Sequence, residues 1–401
     1  MTDFNRLGEI CKGINEMYSI VLDNFLIYYA ASRDKLELEF DKHFHRYRHL
    51  AKVMPKNWVS LLKCQYIGHR IFRKGGLIQK YLKHVAVKGL DAEQQEFLVR
   101  QAKYPWRFNF SVISGNPDED FYEMEDVFTG GKFLLYSPSI SNSLKERSII
   151  LWFNLIAFNG SCWQTYGPVT GYQSFNADDI FSFATDFHPL INSCDQLLID
   201  MEENPVPYMM LAIGSHYPRT FHGQNEILQV QAEHPIEEMD TDKLRRNFEL
   251  EYAFGVIRIS HPEWKKIPHV AAAYFDESRE IVLLSAYTDK GFDELVKKLK
   301  RHGYSFPADP ATRIHVSINT AIQDIFKKVP MQNVYEDLFI EKPSPESKKE
   351  MAKLNKLLAM ALPYINEGKE PDVEALAKKS GVNIEIARDL LGISIARIRE
   401  L

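Results

Sequence analysis

The sequence lacks the features that mark membrane proteins, disulfide-bonded secreted proteins and zinc-binding proteins. It has no run of about 18 apolar residues, so we predict no membrane span. The first residues lack the charged-then-apolar pattern of a signal peptide. The four cysteines lie far apart, which predicts reduced thiols and no disulfide framework or zinc cluster: Cys11, Cys64, Cys162 and Cys194. We therefore expect a cytoplasmic protein that holds no metal.

Common catalytic and cofactor-binding motifs are also missing. The chain has no Gly-x-Ser-x-Gly nucleophile motif and no Rossmann glycine fingerprint. Residues 129–132 lack the flanking glycine and the following Ser or Thr of a phosphate-binding loop. Residues 160–163 are typical of a hairpin turn and not of an activated thiol. These absences favour a protein without intrinsic catalysis and without a cofactor.

Asp and Glu are absent from residues 42–90, within a chain whose net charge is −5. The same stretch holds twelve basic residues: Lys42, Arg46, Arg48, Lys52, Lys56, Lys63, Arg70, Arg73, Lys74, Lys80, Lys83 and Lys88. The rest of the chain therefore sums to −5 − 12 = −17. Such charge asymmetry predicts either that the basic stretch binds an anionic partner or that acidic residues elsewhere in the chain neutralise it.

Nucleic acid is the anionic partner that this acid-free block suits best, since each phosphate contact made by Lys or Arg releases a counterion. We predict contacts from eight of its residues: Arg46, Arg48, Lys52, Arg70, Arg73, Lys74, Lys80 and Lys83. Interleaved aromatic residues are able to stack on bases: Phe44, Tyr47, Trp58, Tyr66, Phe72 and Tyr81. The alternatives are a solvated face over an aromatic core, or neutralisation by the acidic run at residues 118–126.

Apolar spacing predicts a multidomain α+β protein. We predict a basic helical region at 1–104, a small bent antiparallel sheet or barrel at 105–190 and an α+β domain at 191–340. A linker at 341–347 precedes a C-terminal three-helix module at 346–401. In the α+β domain we expect strands at 208–213, 253–259, 270–276 and 281–286, and a helix at 289–302.

Histidines within the basic region form a weak metal pattern. In a helix predicted at about 33–53, Asp41, His45 and His49 have the spacing i, i+4, i+8 and share one face. No cysteine or further carboxylate completes a ligand set. We interpret this face as solvated and predict no metal there.

The C-terminal module resembles a helix-turn-helix. Ala377 has the position where the first helix touches the second, and Gly381 that of the left-handed turn residue. Val382, Ile384 and Leu390 are expected to fill the core between the helices. The resemblance implies that the second helix, about 383–391, enters a major groove, with Lys378, Asn383 and Arg388 as candidate DNA contacts. A protein-interaction or packing module is the alternative.

Two acidic features leave a metal-dependent phosphodiesterase or nuclease open as an alternative function. Asp118, Asp120 and Glu123 belong to an acidic cluster that is able to hold Mg²⁺. Glu263 and Lys265 form an acid-x-Lys pair of the kind that restriction-type nucleases use, although here it follows His-Pro in an apparent turn.

Residues 58–168 resemble a region of uncharacterised bacterial proteins that often end in a SEC-C zinc motif. The resemblance is carried by residues 77–82, 90–95, 108–113, 124–130 and 133–136, and by Trp163 before Gly167 and Pro168. It implies helical segments that feed a small β-barrel, and an accessory role. The zinc motif is not carried over because paired cysteines are absent, and no catalytic residue is implied.

Together these observations predict a cytoplasmic bacterial binding or adaptor protein, more consistent with a non-enzyme than with an enzyme. Its expected partner is DNA or RNA, and it is not expected to enter a membrane. A protein–protein interaction scaffold, whose basic block is neutralised internally, is the remaining alternative.

Overall fold

The computed structural model describes residues 3–307, 309, 311–328, 330, 335–339, 345–366, 371–388 and 391. Contacts divide the chain into two compact units, Met1–Tyr335 and Glu336–Leu401. The first unit begins with helices: α1 (Phe4–Met17), a π-helical stretch (Tyr18–Leu26), α2 (Ile27–Arg33), α3 (Leu36–Phe44), a 3₁₀ helix (His45–Lys52), α4 (Trp58–Phe72), α5 (Ile78–Tyr81), α6 (Val85–Lys88) and α7 (Ala92–Gln101). The helical N-terminal region is thereby confirmed.

Local sequence chemistry sets the limits of these helices. Asp91 caps α7, since its carboxylate accepts the Gln94 N–H at 2.8 Å. The single helix expected at 33–53 is wrong. Lys35 has left-handed backbone (φ 57°) and separates α2 from α3, and the chain tightens to a 3₁₀ helix after Phe44. Asp41, His45 and His49 therefore do not share one α-helical face.

A closed barrel follows, built from β1 (Arg107–Asp118), β2 (Phe121–Asp126), β3 (Lys132–Tyr136), β4 (Leu151–Phe158) and β5 (Trp163–Tyr172), with α8 (Pro138–Leu144) between β3 and β4. The strand order is β1-β2-β3-β5-β4, and pairing of β1 with β4 closes the ring. All pairs are antiparallel except β3 with β5. The expected small barrel is confirmed.

Both faces of the barrel wall are buried on the side that meets the helices. On β1, Phe108 and Phe110 pack into the helical core, while Asn109 and Ser111 alternate with them and are also buried. The helix α4 approaches so closely that a Cβ on Gly68 would lie 2.9 Å from a ring carbon of Tyr166 and 3.3 Å from Trp106. The helices and the barrel thus share one core.

The rest of the first unit contains helices α9 (Ala177–Phe187), α10 (Cys194–Glu203), α11 (Pro205–Met210), α12 (Thr241–Arg245), α13 (Asp289–Arg301) and α14 (Val316–Phe326), and 3₁₀ helices Leu211–His216 and Pro262–Lys265. Its strands are β6 (Phe221–His222), β7 (Asn225–Glu226), β8 (Leu228–Pro235), β9 (Glu249–Ala253), β10 (Val256–Ser260), β11 (Ala271–Asp276), β12 (Ile281–Ala286) and β13 (Thr312–His315). Six of these strands form an antiparallel sheet in the order β13-β8-β12-β11-β10-β9.

The strands expected at 270–276 and 281–286 and the helix expected at 289–302 are present as β11, β12 and α13. The strand expected at 253–259 is a tight hairpin, because Phe254 and Gly255 both have positive φ between β9 and β10. The strand expected at 208–213 is wrong. Residues 205–216 are helical and start at Pro205, a position that favours a helix start, and residues 205–212 are buried throughout.

A buried Asp–His contact joins α9 to the sheet. Asn176 and Asp179 form a capping box at the start of α9. The Asp179 carboxylate also accepts the His315 backbone N–H at 2.6 Å and contacts His315 Nδ1 at 2.7 Å. Burial raises the pKa of Asp179, and His315 opposes that rise. The edge strand β13 is thereby fixed to the helical core.

The second unit contains α15 (Glu336–Phe339), α16 (Pro345–Asn366), α17 (Val373–Ser380) and a short helix at 384–388. Leu357, Ala361, Ala377 and Ala387 form its core, and Gly381 has the expected positive φ of 75°. Ile384 is exposed rather than part of that core, while Leu390 and linker residues 341–344 lie outside the described residues. The α+β, multidomain fold class is confirmed. Among described residues, no helix has the length and apolar character needed to cross a bilayer.

Candidate functional site

The 3₁₀ helix at His45–Lys52 determines which basic residues face solvent. Phe44, Tyr47 and Leu50 recur at every third position and are all buried, in keeping with three residues per turn. The other two rows of the helix therefore point outward. One row carries Arg48, and the other carries Arg46 and Lys52, each of them exposed.

We call residues 42–56 the basic segment. Its five cations are exposed, and none has an ion-pair partner among the described residues: Lys42, Arg46, Arg48, Lys52 and Lys56. His49 is different, because its Nε2 lies 2.8 Å from the Asp324 backbone oxygen on α14 and helps hold the segment in place. The basic segment thus presents five exposed positive charges without an ion pair among the described residues.

A cavity of about 300 Å³ lies beside the basic segment. Lys42, His43 and Arg46 line one side. The remaining wall is formed by Tyr47, Tyr66, Phe187, Glu203, Asn204, Pro205, Val206 and Pro207. The size is at the lower end of small-molecule sites. Its two cations, Lys42 and Arg46, suit an anionic group, its rings suit a flat one, and the carboxylate of Glu203, which pairs with Arg73, shares the wall.

Four other cations of the acid-free block are neutralised by acids outside it. Lys63 contacts Glu37 and Asp41 at 2.8 and 3.1 Å, and Arg70 contacts Glu39 at 3.0 Å. Arg73 lies 3.1 Å from Glu203, and Lys80 pairs with Asp34. Three of the predicted nucleic-acid contacts, Arg70, Arg73 and Lys80, are therefore committed to internal pairs. Lys74 and Lys83 are exposed without an ion pair among the described residues.

The acidic run at 118–126 does not supply these partners. It extends from the end of β1, through the turn at 119–120, along β2. Asp120 accepts from Ser141, and Asp126 accepts from Asn109 and from the backbone N–H groups of Phe128 and Thr129. Within the described residues, its one ion pair joins Glu125 to Lys132. Neutralisation of the basic block by this run is thus not observed.

The interleaved aromatic residues are mostly core. Phe44, Tyr47, Tyr66, Phe72 and Tyr81 are buried, so their faces are not available to bases, and Trp58 is half-buried. The sequence left open whether these rings form core or a stacking face. Burial supports the core interpretation for five of the six.

His69 is a buried group that sequence reasoning missed as a distinct feature. Its side chain is fully buried, and its Nε2 lies 2.6 Å from Glu202 Oε2. The other oxygen of Glu202 accepts the Phe108 N–H at 3.1 Å, which connects α4, α10 and β1. Burial lowers the pKa of His69, and the nearby Arg73 and Arg70 add to this, while Glu202 opposes it. No local motif signals a pair whose members are 133 residues apart.

The residues of the phosphodiesterase alternative are dispersed and otherwise engaged. Glu263 lies 2.8 Å from Lys298, and Lys265 pairs with Glu249. Asp118 and Glu123 are exposed on β1 and β2. In the part of the chain that the structure describes, no group of three or more His, Cys, Asp or Glu side chains is arranged to hold a metal.

The C-terminal candidates lie on α17 and the helix that follows it. Lys378 is exposed. Asn383 accepts the Glu385 N–H through its side-chain oxygen at 2.8 Å and so caps the second helix. Arg388 pairs with Glu374 at 2.7 Å. Two of these three side chains thus have structural partners within the module.

Comparison of the chain with protein-family models, with curated proteins and with solved structures finds no match. The protein is therefore classified by its structure alone. It is a multidomain α+β protein with a small closed barrel and an exposed cationic segment. The resemblance to SEC-C-containing bacterial proteins stays a prediction.

Proposed function

We propose that this protein is a non-catalytic binding or adaptor protein of the bacterial cytoplasm that binds nucleic acid through the basic segment. One observation carries the proposal, namely the five exposed cations of residues 42–56 without ion pairs among the described residues. When a cation contacts a phosphate, counterions of the nucleic acid are released. Cations without ion pairs make this contact without first breaking an ion pair inside the protein. Arg70, Arg73 and Lys80 are left out of the proposed contacts because they have acidic partners.

The cavity beside the basic segment favours a single strand over a duplex. Lys42, His43 and Arg46 lie along its wall, so a chain whose phosphates follow the segment reaches the cavity with a base or a terminal phosphate. A base that is paired and stacked in a duplex does not enter such a space. We therefore expect single-stranded RNA or DNA to bind more tightly than a duplex of the same sequence.

Salt-dependent binding of labelled oligonucleotides tests the proposal. Single-stranded RNA, single-stranded DNA and a duplex are titrated by fluorescence anisotropy at about 50 and about 200 mM salt. The variant R46E/R48E/K52E is expected to weaken single-strand binding and to reduce the slope of log K against log salt by about 2, at about 0.7 per phosphate contact.

The matched control is K290E/K297E/K300E, which reverses three exposed lysines on α13 and changes the net charge equally. It should bind nearly as well as the natural chain. The proposal fails if the natural protein shows no salt-dependent binding, or if this control loses as much affinity as the basic-segment variant. Loss of binding confined to DNA duplexes would instead point to the C-terminal module.

A further inference from the structure

A thiol pair connects α1 to the barrel, apart from the basic segment. Cys11 Sγ on α1 and Cys162 Sγ, next to the first residue of β5, are 3.5 Å apart. Both residues are buried, at 0% and 1% exposure. They are covered by an apolar cluster that includes Leu7, Phe121 and Tyr136. The two residues are 151 positions apart, so only the tertiary fold brings them together.

Hydrogen bonds hold the two sulfur atoms in place. The side-chain nitrogen of Asn159 donates to Cys11 Sγ at 3.3 Å and to Cys162 Sγ at 3.5 Å. The oxygen of the same amide accepts the backbone N–H groups of Ser161 and Cys162, both at 2.9 Å, which fixes its orientation. Gln164 Nε2 donates to the Cys11 carbonyl at 3.0 Å. The sulfur atoms therefore face each other within a fixed polar frame.

We propose that Cys11 and Cys162 are an oxidisable pair that forms a disulfide and ties α1 to the barrel. The oxidant is a hydroperoxide. The Cys162 thiolate attacks one peroxide oxygen, so that an S–O bond forms, the O–O bond breaks and a sulfenic acid results. The Cys11 sulfur then attacks that sulfur, the S–S bond forms and water leaves. In sum, two thiols and hydrogen peroxide give a disulfide and two waters, with two electrons passing from sulfur to oxygen.

The electrostatics of the pair agree with this order of events. The hydrogen bond from the Cys11 thiol, and the one from Asn159, lower the pKa of Cys162. The pKa of Cys11 is raised by the same partner and by burial. Cys162 is thus the more acidic thiol of the pair and is expected to react first, with Cys11 as the resolving thiol.

The remaining cysteines provide internal controls. Cys194 is exposed at the start of α10, and Cys64 is half-buried on α4. Neither has another sulfur within hydrogen-bonding distance among the described residues. Oxidation of these two thiols gives mixed or intermolecular products rather than an internal bond.

The test uses the full chain carrying C64S and C194S, which retains only the pair. After treatment with hydrogen peroxide, the intact mass should fall by two hydrogen atoms, and non-reducing peptide mapping should show a peptide joined through Cys11 and Cys162. Because the bond closes a long loop, the melting temperature should rise by about 5 °C or more and return on reduction.

Two results would overturn the inference. In one, both thiols still react with an alkylating agent after oxidation and denaturation. In the other, Cys162 proceeds to sulfinic acid without a cross-link. Adding C11S to the C64S/C194S background should remove the cross-link and its thermal shift. If that variant does not fold, the mass and peptide mapping of the C64S/C194S chain test the inference alone, because that chain keeps both thiols of the pair.

Discussion

His69 shows at the scale of one residue how burial selects a charge state. It is the histidine with the lowest exposure among the described residues, and its Nδ1 has no hydrogen-bond partner there. Burial therefore favours the neutral imidazole, in which Nε2 is the donor to Glu202. In the unfolded chain the same ring titrates near pH 6.5.

Lowering the pH should destabilise the protein through His69. Its pKa is lower in the folded than in the unfolded state, so below about pH 6.5 the unfolded chain binds the extra proton and stability falls. The stabilising contribution is complete above that pH and is lost as the pH falls toward the folded pKa. One such proton changes the free energy of unfolding by at most about 1.4 kcal/mol per pH unit.

Urea unfolding at about pH 7.5 and about pH 5.5 measures this effect. H69Q keeps a donor for Glu202 but has no titrating ring, so the stability difference between the two pH values should shrink. H45Q removes an exposed histidine and should leave the difference as it was. An unchanged pH dependence in H69Q would contradict the assignment. Three other histidines whose pKa is lowered contribute to the slope that remains: His216, His234 and His261.

The sequence identified the charges of the site but not their partners. An acid-free stretch is visible in the sequence, and eight of its twelve cations are exposed without an ion pair among the described residues: the five of the basic segment and Lys74, Lys83 and Lys88. The pairing of Arg73 with Glu203 joins residues about 130 positions apart and follows no local pattern. Separating free cations from paired ones required the tertiary structure.

At the scale of elements, the approach of α4 to the barrel depends on Gly68. A Cβ at this position would overlap the ring of Tyr166, which is itself packed against Trp106. By contrast, a Cβ on Gly8 in α1 meets no atom within 4 Å. The two glycines therefore occupy the same kind of element in opposite environments.

Replacing these glycines by alanine should change stability in opposite directions. G68A is expected to lower the free energy of unfolding by about 1–3 kcal/mol, because a crowded core must shift. G8A should raise it by up to about 1 kcal/mol, since alanine favours a helix over glycine. Chemical denaturation measures both, with G8A as the control for G68A. If G68A does not lower the free energy of unfolding, α4 is able to move away from the barrel without a loss of stability, and the prediction is wrong.

Element type was predictable where apolar periodicity was regular. α13 matches its expected range closely because its apolar residues repeat at helical spacing, whereas β11 and β12 match as short apolar runs bounded by turns. The helix at 205–216 failed because residues 205–212 are all buried, and a wholly apolar run has no period to read. The 3₁₀ helix was missed because burial at every third position resembles an α-helical stripe.

At the scale of the first unit, the Asp179–His315 pair holds two layers together. It joins the start of α9 to the edge of the six-stranded sheet, and Asp179 is fully buried. A second carboxylate, Glu226 Oε1, lies 3.4 Å from His315 Nε2. The pair thus sits between two acids from different elements.

Removing the Asp179 carboxylate should be costly. D179A leaves buried donors on His315 and Asn176 without their acceptor, and we expect a loss of about 3–5 kcal/mol in the free energy of unfolding. E96A removes an exposed pair with Arg100 and should cost less than about 0.5 kcal/mol. Chemical denaturation of both variants checks the comparison. Equal, small losses would mean that Asp179 is not needed to hold α9 against the sheet.

The order and direction of strand pairing in the barrel could not be predicted from the sequence. Alternating strands at 105–172 indicated a barrel, yet nothing local specifies that β5 pairs in parallel with β3 and lies between it and β4. Such pairings depend on which apolar faces remain uncovered once the helices have packed.

The strand order of the barrel also governs how this chain folds as it is made. Because β1 needs β4 and β3 needs β5, the ring cannot close until Tyr172 has left the ribosome. α1 precedes the barrel in the chain, so its inner face stays uncovered until a partner strand more than a hundred residues later has been made. At a synthesis rate of about 5–20 residues per second, this apolar helix surface therefore stays uncovered for seconds before its partner strand has been made.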